Sequence, residues 1–207
     1  MHCDAEAVAR ELRAAEIPAR FSFKGFSDYV CSTDAQRTAV EAVQAFAADF
    51  EANLKLGRCL AFCGGVGTGK THLATSLCLD LIYQGFSARY TQAFDVIRAI
   101  RETWRRDSCV TELEMVQALS RPHLLVLDEV GVQHKAGESE QMHLFDVLNR
   151  RYLDMKPTLI ITNLSAQALE KAIGERAFDR LRENGGQLVQ FSWPSYRGTN
   201  TAESSQT

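Results

Sequence analysis

Gly64-Gly-Val-Gly-Thr-Gly-Lys-Thr71 is the stretch that decides the fold. It fits G-x-x-x-x-G-K-[ST], a spacing in which glycines let successive backbone N–H groups turn inward around a phosphate. The cradle is then Gly64, Gly65, Val66, Gly67, Thr68 and Gly69, with Lys70 reaching the β/γ oxygens, the Thr71 hydroxyl a ligand for Mg²⁺, and His72 next along. The flanks agree. Cys59-Leu-Ala-Phe-Cys63 reads as a buried strand leading in, and His72 to Gln84, with Leu73, Leu77 and Leu81 four apart, as a helix leading out. Gly85 supplies the stop. Strand, loop and helix in register predict a site for a nucleoside triphosphate with Mg²⁺.

A second segment, Leu124-Leu-Val-Leu-Asp128-Glu129, has four apolar residues ending in two carboxylates. Such a run suits a buried parallel strand that delivers acids to its C-terminal edge, where ligands of open α/β sheets sit. Asp128 is placed to hold Mg²⁺ through water, leaving Glu129 to polarise an attacking water. Taken alone, the segment is equally a core strand followed by a solvated acidic turn. A third strand, Thr158 to Thr162, ends at Asn163, which either orients water beside the γ-phosphate or caps the helical stretch Ala166 to Ile173 together with Ser165. Further on, Arg176 and Arg180 stand four apart on one helical face.

The order GGVGTGKTHLA, LLVLDEVGVQ, LIITN, GERAFDRL, FSWPSYRG resembles the AAA+ ATPases of the DnaC-like helicase-loader group, whose near relatives are the IstB-like transposition helpers and the initiator DnaA. The resemblance runs from about Ile17 to Gly198, and DEVGVQ, GERAFDRL and WPSYR are its discriminating parts. It implies an α/β fold, a P-loop NTPase domain with a parallel sheet flanked by helices and a reduced C-terminal lid. It also implies that Lys70 and Thr71 are Walker A residues, Asp128 and Glu129 Walker B, Asn163 sensor 1, Arg180 the arginine finger with Arg176 beside it, and Arg197 sensor 2. Loaders of this group carry an extra N-terminal helicase-binding region. Only sixteen residues precede Ile17-Pro18, so the expectation is either a fragment or a short relative that meets its partner differently.

Composition fits one domain of ordinary globular usage, with 207 residues, 45% of them apolar and 24% charged. Neither a run of about 20 apolar residues nor a signal-peptide pattern is visible, so no membrane partner and a cytoplasmic location are expected. Cys3, Cys31, Cys59, Cys63, Cys78 and Cys109 are scattered and lack C-x₂-C spacing, which reads as reduced core thiols. An N-terminal arm (1–33), including a helix from Ala5 to Glu16 and the aromatic-rich stretch Phe21 to Tyr29, precedes the ATPase domain (34–197). Residues 198–207, polar and aperiodic, are expected to form a disordered tail. Thr33 or Asp34 caps a long helix through about Leu54. Phe26 and Tyr29 either lie near an adenine, as in the resembled family, or pack the arm onto the domain.

A formal net charge of −3 and a pI of about 6.0 leave no broadly basic surface, so any nucleic-acid contact must be local. The best stretch is Val96 to Arg106. On a helix of 100° per residue Val96, Ile97, Ile100 and Trp104 form an apolar arc, with Arg98, Arg101 and Arg105 opposite. Either this is a solvated helix face with Trp104 in the core, or the arginines track single-stranded DNA and Trp104 stacks on a base, as the family resemblance favours. Three function classes follow. The first is an ATP-hydrolysing loader that assembles as a homo-oligomer on ATP and single-stranded DNA and helps load a replicative DNA helicase. The second is an IstB-like helper that targets a transposase to DNA. The third, a metabolic P-loop kinase, would need an acceptor pocket and lid that no segment identifies.

Overall fold

The computed structural model describes residues 5–131 and 138–198. Three near-continuous apolar runs become the three inner strands, as expected of strands buried on both faces. These are β1 (Leu60–Gly64), β3 (Leu124–Asp128) and β4 (Thr158–Thr162). The edge strands β2 (Ala88–Gln92) and β5 (Gln187–Phe191) are more broken in burial. All pairings are parallel, in the order β2-β3-β4-β1-β5.

Alternate residues of each strand feed two cores. One face carries Leu60, Phe62, Val126 and Ile161. It packs under α1 (Ala5–Ala14), α2 (Asp34–Ala48), α3 (Phe50–Leu56) and α4 (Lys70–Tyr83). The other carries Ala61, Cys63, Leu125 and Ile160. It is covered by α5 (Ala93–Glu102), α6 (Glu112–Ser120), α7 (Glu138–Leu153), α8 (Ala166–Ile173) and α9 (Glu175–Arg182). Among the described residues only α8, α9 and β5, with short 3₁₀ turns, follow β4, which is the reduced C-terminal part that the resemblance implied.

Two helices differ from expectation. The long helix from residue 34 to about 54 is broken at Asp49, whose φ/ψ of −97°/21° ends α2 and begins α3. Asn53 holds the break by donating from Nδ2 to the Phe46 carbonyl at 2.9 Å. At its start Thr33, not Asp34, is the cap, in a reciprocal box with Gln36. The helix on which Val96 to Arg106 were read stops at Glu102. Its end tightens through i→i+3 bonds of Thr103 N to Ile100 O and Trp104 N to Arg101 O, while the Thr103 hydroxyl donates to Ile100 O at 2.6 Å.

Arg151 ties the sheet's entry edge to its helices. It is fully buried, and its guanidinium donates to the Thr158 hydroxyl and to the carbonyls of Leu119, Pro122, His123 and Pro157. Burial pulls its pKa down to about 9. Cys59, Cys63 and Cys78 are buried free thiols, and burial pushes Cys78 up to about 12. Cys31 is half-buried and Cys109 exposed, so the latter is no core thiol; Cys3 lies outside the described residues. So do residues 199–207 of the expected tail and the last two residues of DEVGVQ.

Candidate functional site

Because β4 lies between β1 and β3, the loop after β1 faces the acids after β3 across the end of β4. A cleft of about 540 Å³ opens there, at the C-terminal edge of the sheet. Its walls include Lys70, Thr71, His72, Asp128, Glu129 and Asn163, with Val66 to Gly69 and Arg197. Residues from four sequence segments are thus brought together. Lys70 is buried at the first position of α4, its Nζ donating to the Gly64 carbonyl at 2.8 Å and the Gly65 carbonyl at 2.5 Å. Burial lowers its pKa, and the Asp128 carboxylate opposes that shift. An ammonium held by loop carbonyls at the cleft suits an incoming phosphate.

Thr71 Oγ1 donates to Asp128 Oδ2 at 2.9 Å, joining positions 57 residues apart. This hydroxyl–carboxylate pair offers only oxygen donors, the set a hard cation such as Mg²⁺ prefers. Asp128 is held from two more directions. The Tyr90 hydroxyl donates to Oδ2 at 2.7 Å, and the backbone N–H of Glu129 donates to Oδ1 at 2.7 Å. Glu129 itself sits at φ 59°, a left-handed conformation that costs a non-glycine residue about 1–2 kcal/mol. The bond from Val130 N to Ile161 O, 3.0 Å long, fixes the turn just beyond it. Its side chain is exposed while that of Asp128 is buried, so the two acids have different surroundings. Asn163 is exposed and is not the cap of α8; Ser165 takes that role, accepting from Ala168 N.

The phosphate loop is also gripped from outside. Trp193 Nε1 and the Tyr29 hydroxyl both donate to the Thr68 carbonyl at 2.9 Å, and Tyr196 N donates to the Gly67 carbonyl at 2.9 Å. The approach is close enough to exclude side chains. A Cβ on Gly67, at φ 76°, would stand 2.0 Å from Ser195 Oγ, and one on Gly69, at φ 89°, 2.7 Å from the Tyr29 ring. His72 packs between Phe21 and Tyr29, with ring centroids 6.0 and 5.4 Å away, and burial lowers its pKa. Phe26 does not line the cleft, whereas Tyr29 and Phe21 of the same arm do. The roles of Tyr90, Trp193, Ser195 and Tyr196 were missed in the sequence. The signal for the last three was the WPSYR segment itself, whereas Tyr90 is only one more residue of a short strand.

Arg176 and Arg180 lie outside the cleft. Arg176 is exposed. Arg180 is half-buried against α7, its guanidinium 4.8 Å from the Tyr152 ring centroid and 5.5 Å from that of Phe145, with a bond to Asn149 Oδ1. Of the expected nucleic-acid face, Arg98 and Arg101 are exposed on α5, but Arg105 lies beyond its end and pairs with Glu102 and Asp107. Trp104 is not core. It is 59% exposed and its Nε1 donates to Glu112 Oε2 at 2.9 Å, because the early end of α5 takes it off the apolar arc.

The model of the family described as IstB-like ATP binding protein matches residues 2–204. The chain belongs to that family. Among IstB-like proteins and their kin, it is 31% identical to the replicative helicase loader DnaC of Escherichia coli K12 over 206 residues, covering 95% of this chain and 82% of the relative. A DnaC of Buchnera aphidicola subsp. Schizaphis graminum is 30% identical over 172 residues, 83% of this chain and 68% of the relative. In fold, this IstB-like chain matches the crystal structure of the DnaC helicase loader with TM-score 0.75 at 21% identity, over 84% of this chain and 99% of that one. AMPPCP-bound DnaA of Aquifex aeolicus matches with TM-score 0.67 at 25% identity, over 85% and 51%. The five-stranded parallel sheet flanked by helices is that of the AAA+ ATPases. Among the described residues no helix is long and apolar enough to cross a membrane.

Proposed function

We propose that this IstB-like protein hydrolyses ATP on single-stranded DNA, as a homo-oligomer, and helps load a replicative DNA helicase. The observation that carries this is the Thr71–Asp128 bond inside a cleft that also holds Lys70, Glu129 and Asn163, in a chain 31% identical to a helicase loader over 95% of its length. Lys70 and the loop amides would receive the phosphates. Thr71 and Asp128 would hold Mg²⁺, which supplies charge neutralisation when bound. Glu129, exposed at the cleft, would take a proton from water, and Asn163 would orient that water. Arg197 lines the same cleft and would meet the phosphates from the C-terminal side.

Arg180 and Arg176 lie away from this cleft, which supports a role for one of them in a neighbouring protomer's site. Arg98, Arg101 and Trp104 are exposed, as a single-strand contact requires. A second role, as a transposition helper, is favoured by the family whose model matches the chain. Retention of the host replicative helicase, but not of a transposase, on the immobilised protein with ATP would support loading; the reverse would support transposition. ATP turnover unchanged in Lys70→Ala would overturn both.

A further inference from the structure

Away from the cleft, α6 and α7 meet around polar side chains that ATP chemistry does not use. His143 is buried, 4% exposed, and among the described residues neither ring nitrogen has a hydrogen-bond partner. Orphaned polar atoms at that depth are rare in folded proteins, and each costs about 1–3 kcal/mol. Glu112 Oε1 lies 3.8 Å from Nδ1, too far for a hydrogen bond. Asp146, one turn further along α7, brings a second carboxylate, and one donor atom from each of the three residues lies within 4.8 Å of the others.

We propose that Glu112, His143 and Asp146 bind a divalent first-row transition-metal ion. Imidazole beside two carboxylates suits Zn²⁺ or its neighbours better than Mg²⁺ or Ca²⁺, which take oxygen alone. Bonds of about 2.0–2.2 Å to a tetrahedral ion need donors about 3.4 Å apart, so the carboxylates must draw in by at most about 1.4 Å. Both are half-buried and carried on rotatable stems, which permits that. Glu112 is already oriented from outside. Its Oε2 accepts from Trp104 Nε1 at 2.9 Å, leaving Oε1 toward His143, and the Trp104 ring stands edge-on to His143 at 5.2 Å. Such outer bonds to a ligand are characteristic of metal sites. Three protein donors leave one position for water. The ion would clip α6 to α7 and, through Glu112, fix Trp104 at the end of the arginine-bearing helix.

The metal-stripped, nucleotide-free full chain is titrated with Zn²⁺ by calorimetry, and with Co²⁺ as a visible-absorption probe. One saturable site is expected, with d–d bands and no thiolate-to-cobalt charge transfer. His143→Gln and Asp146→Asn should each weaken it by about tenfold or more, while Asp128→Asn, in the nucleotide cleft, should leave it unchanged. If His143→Gln fails to fold, Glu112→Gln with Asp146→Asn carries the same test. Absence of saturable binding, a sulfur charge-transfer band, or affinity indifferent to the two carboxylate variants would overturn the proposal.

Discussion

The loop after β1 and the end of α5 carry the two chemistries proposed for this protein, and they are built in opposite ways. Around the loop, short bonds join positions far apart in sequence: Thr71 to Asp128, Tyr29 to Thr68, and Trp193 to Thr68 across 125 residues. At the end of α5 Arg105 is bridged to its near neighbours Glu102 and Asp107, and the side chains of Arg98, Arg101 and Arg105 are exposed. Phosphoryl chemistry needs donors fixed before the substrate arrives. A groove that tracks a flexible strand tolerates mobile cations, since its energy comes largely from released counterions.

The largest effect expected tests whether the fixed site is complete within one chain. Arg180→Ala should cut DNA-stimulated turnover by about 10³–10⁵ while leaving ATP binding nearly intact, because the missing charge acts only on the developing transition state. Glu129→Gln should likewise bind ATP and fail to turn over. Mixed, the two variants should regain part of the activity, since each supplies what the other lacks. No recovery in co-assembled mixtures would confine Arg180 to its own subunit.

Next in size is the grip on the loop. Tyr29→Phe with Trp193→Phe removes both side-chain donors from the Thr68 carbonyl. A buried acceptor stripped of partners costs about 1–3 kcal/mol, so the double variant should melt at lower temperature and bind ATP more weakly than either single one. Unchanged ATP affinity in a destabilised double variant would make the grip structural only.

Smaller shifts are expected at α5. Replacing Arg98, Arg101 and Arg105 with Ala should flatten the log–log salt dependence of single-stranded DNA binding by roughly 0.7 per lost phosphate contact, with little change in stability. An unchanged slope would remove these arginines from the interface. Smallest of all should be the stability change in Trp104→Ala, under about 1 kcal/mol in chemical denaturation, against the 3–5 kcal/mol typical of a core aromatic. A core-sized loss would mean that Trp104 is more deeply packed in solution than its 59% exposure indicates.

What the sequence revealed follows the same division. β1, β3 and β4 and the helix after the loop were legible to within a residue or two, because burial on both faces leaves an unbroken apolar run and the glycine spacing marks the turn. The break at Asp49 and the early end of α5 were not, since each turns on one side chain, Asn53 or Thr103, bonding to a nearby carbonyl instead of leaving it to the helix. The second partner of Asp128 was also hidden. Tyr90 meets it only because β2 pairs with β3 in a register that sets Gln92 beside Asp128, and pairing between strands 36 residues apart leaves no local pattern. Trp104 misled for a related reason: its spacing fitted the apolar arc, but the arc presumed a helix that had already ended.

The tether from Trp193 to Thr68 also has a consequence for the nascent chain. β1 is flanked by β4 and β5, and β5 together with the Trp193–Tyr196 segment is made after the other four strands. At 5–20 residues per second, the 125 residues that separate Thr68 from Trp193 take about 6–25 s to synthesise. During that interval the phosphate loop exists as sequence on the ribosome but lacks its outer clasp and one neighbour of its strand. The loop's motif is therefore translated well before the residues that clasp it.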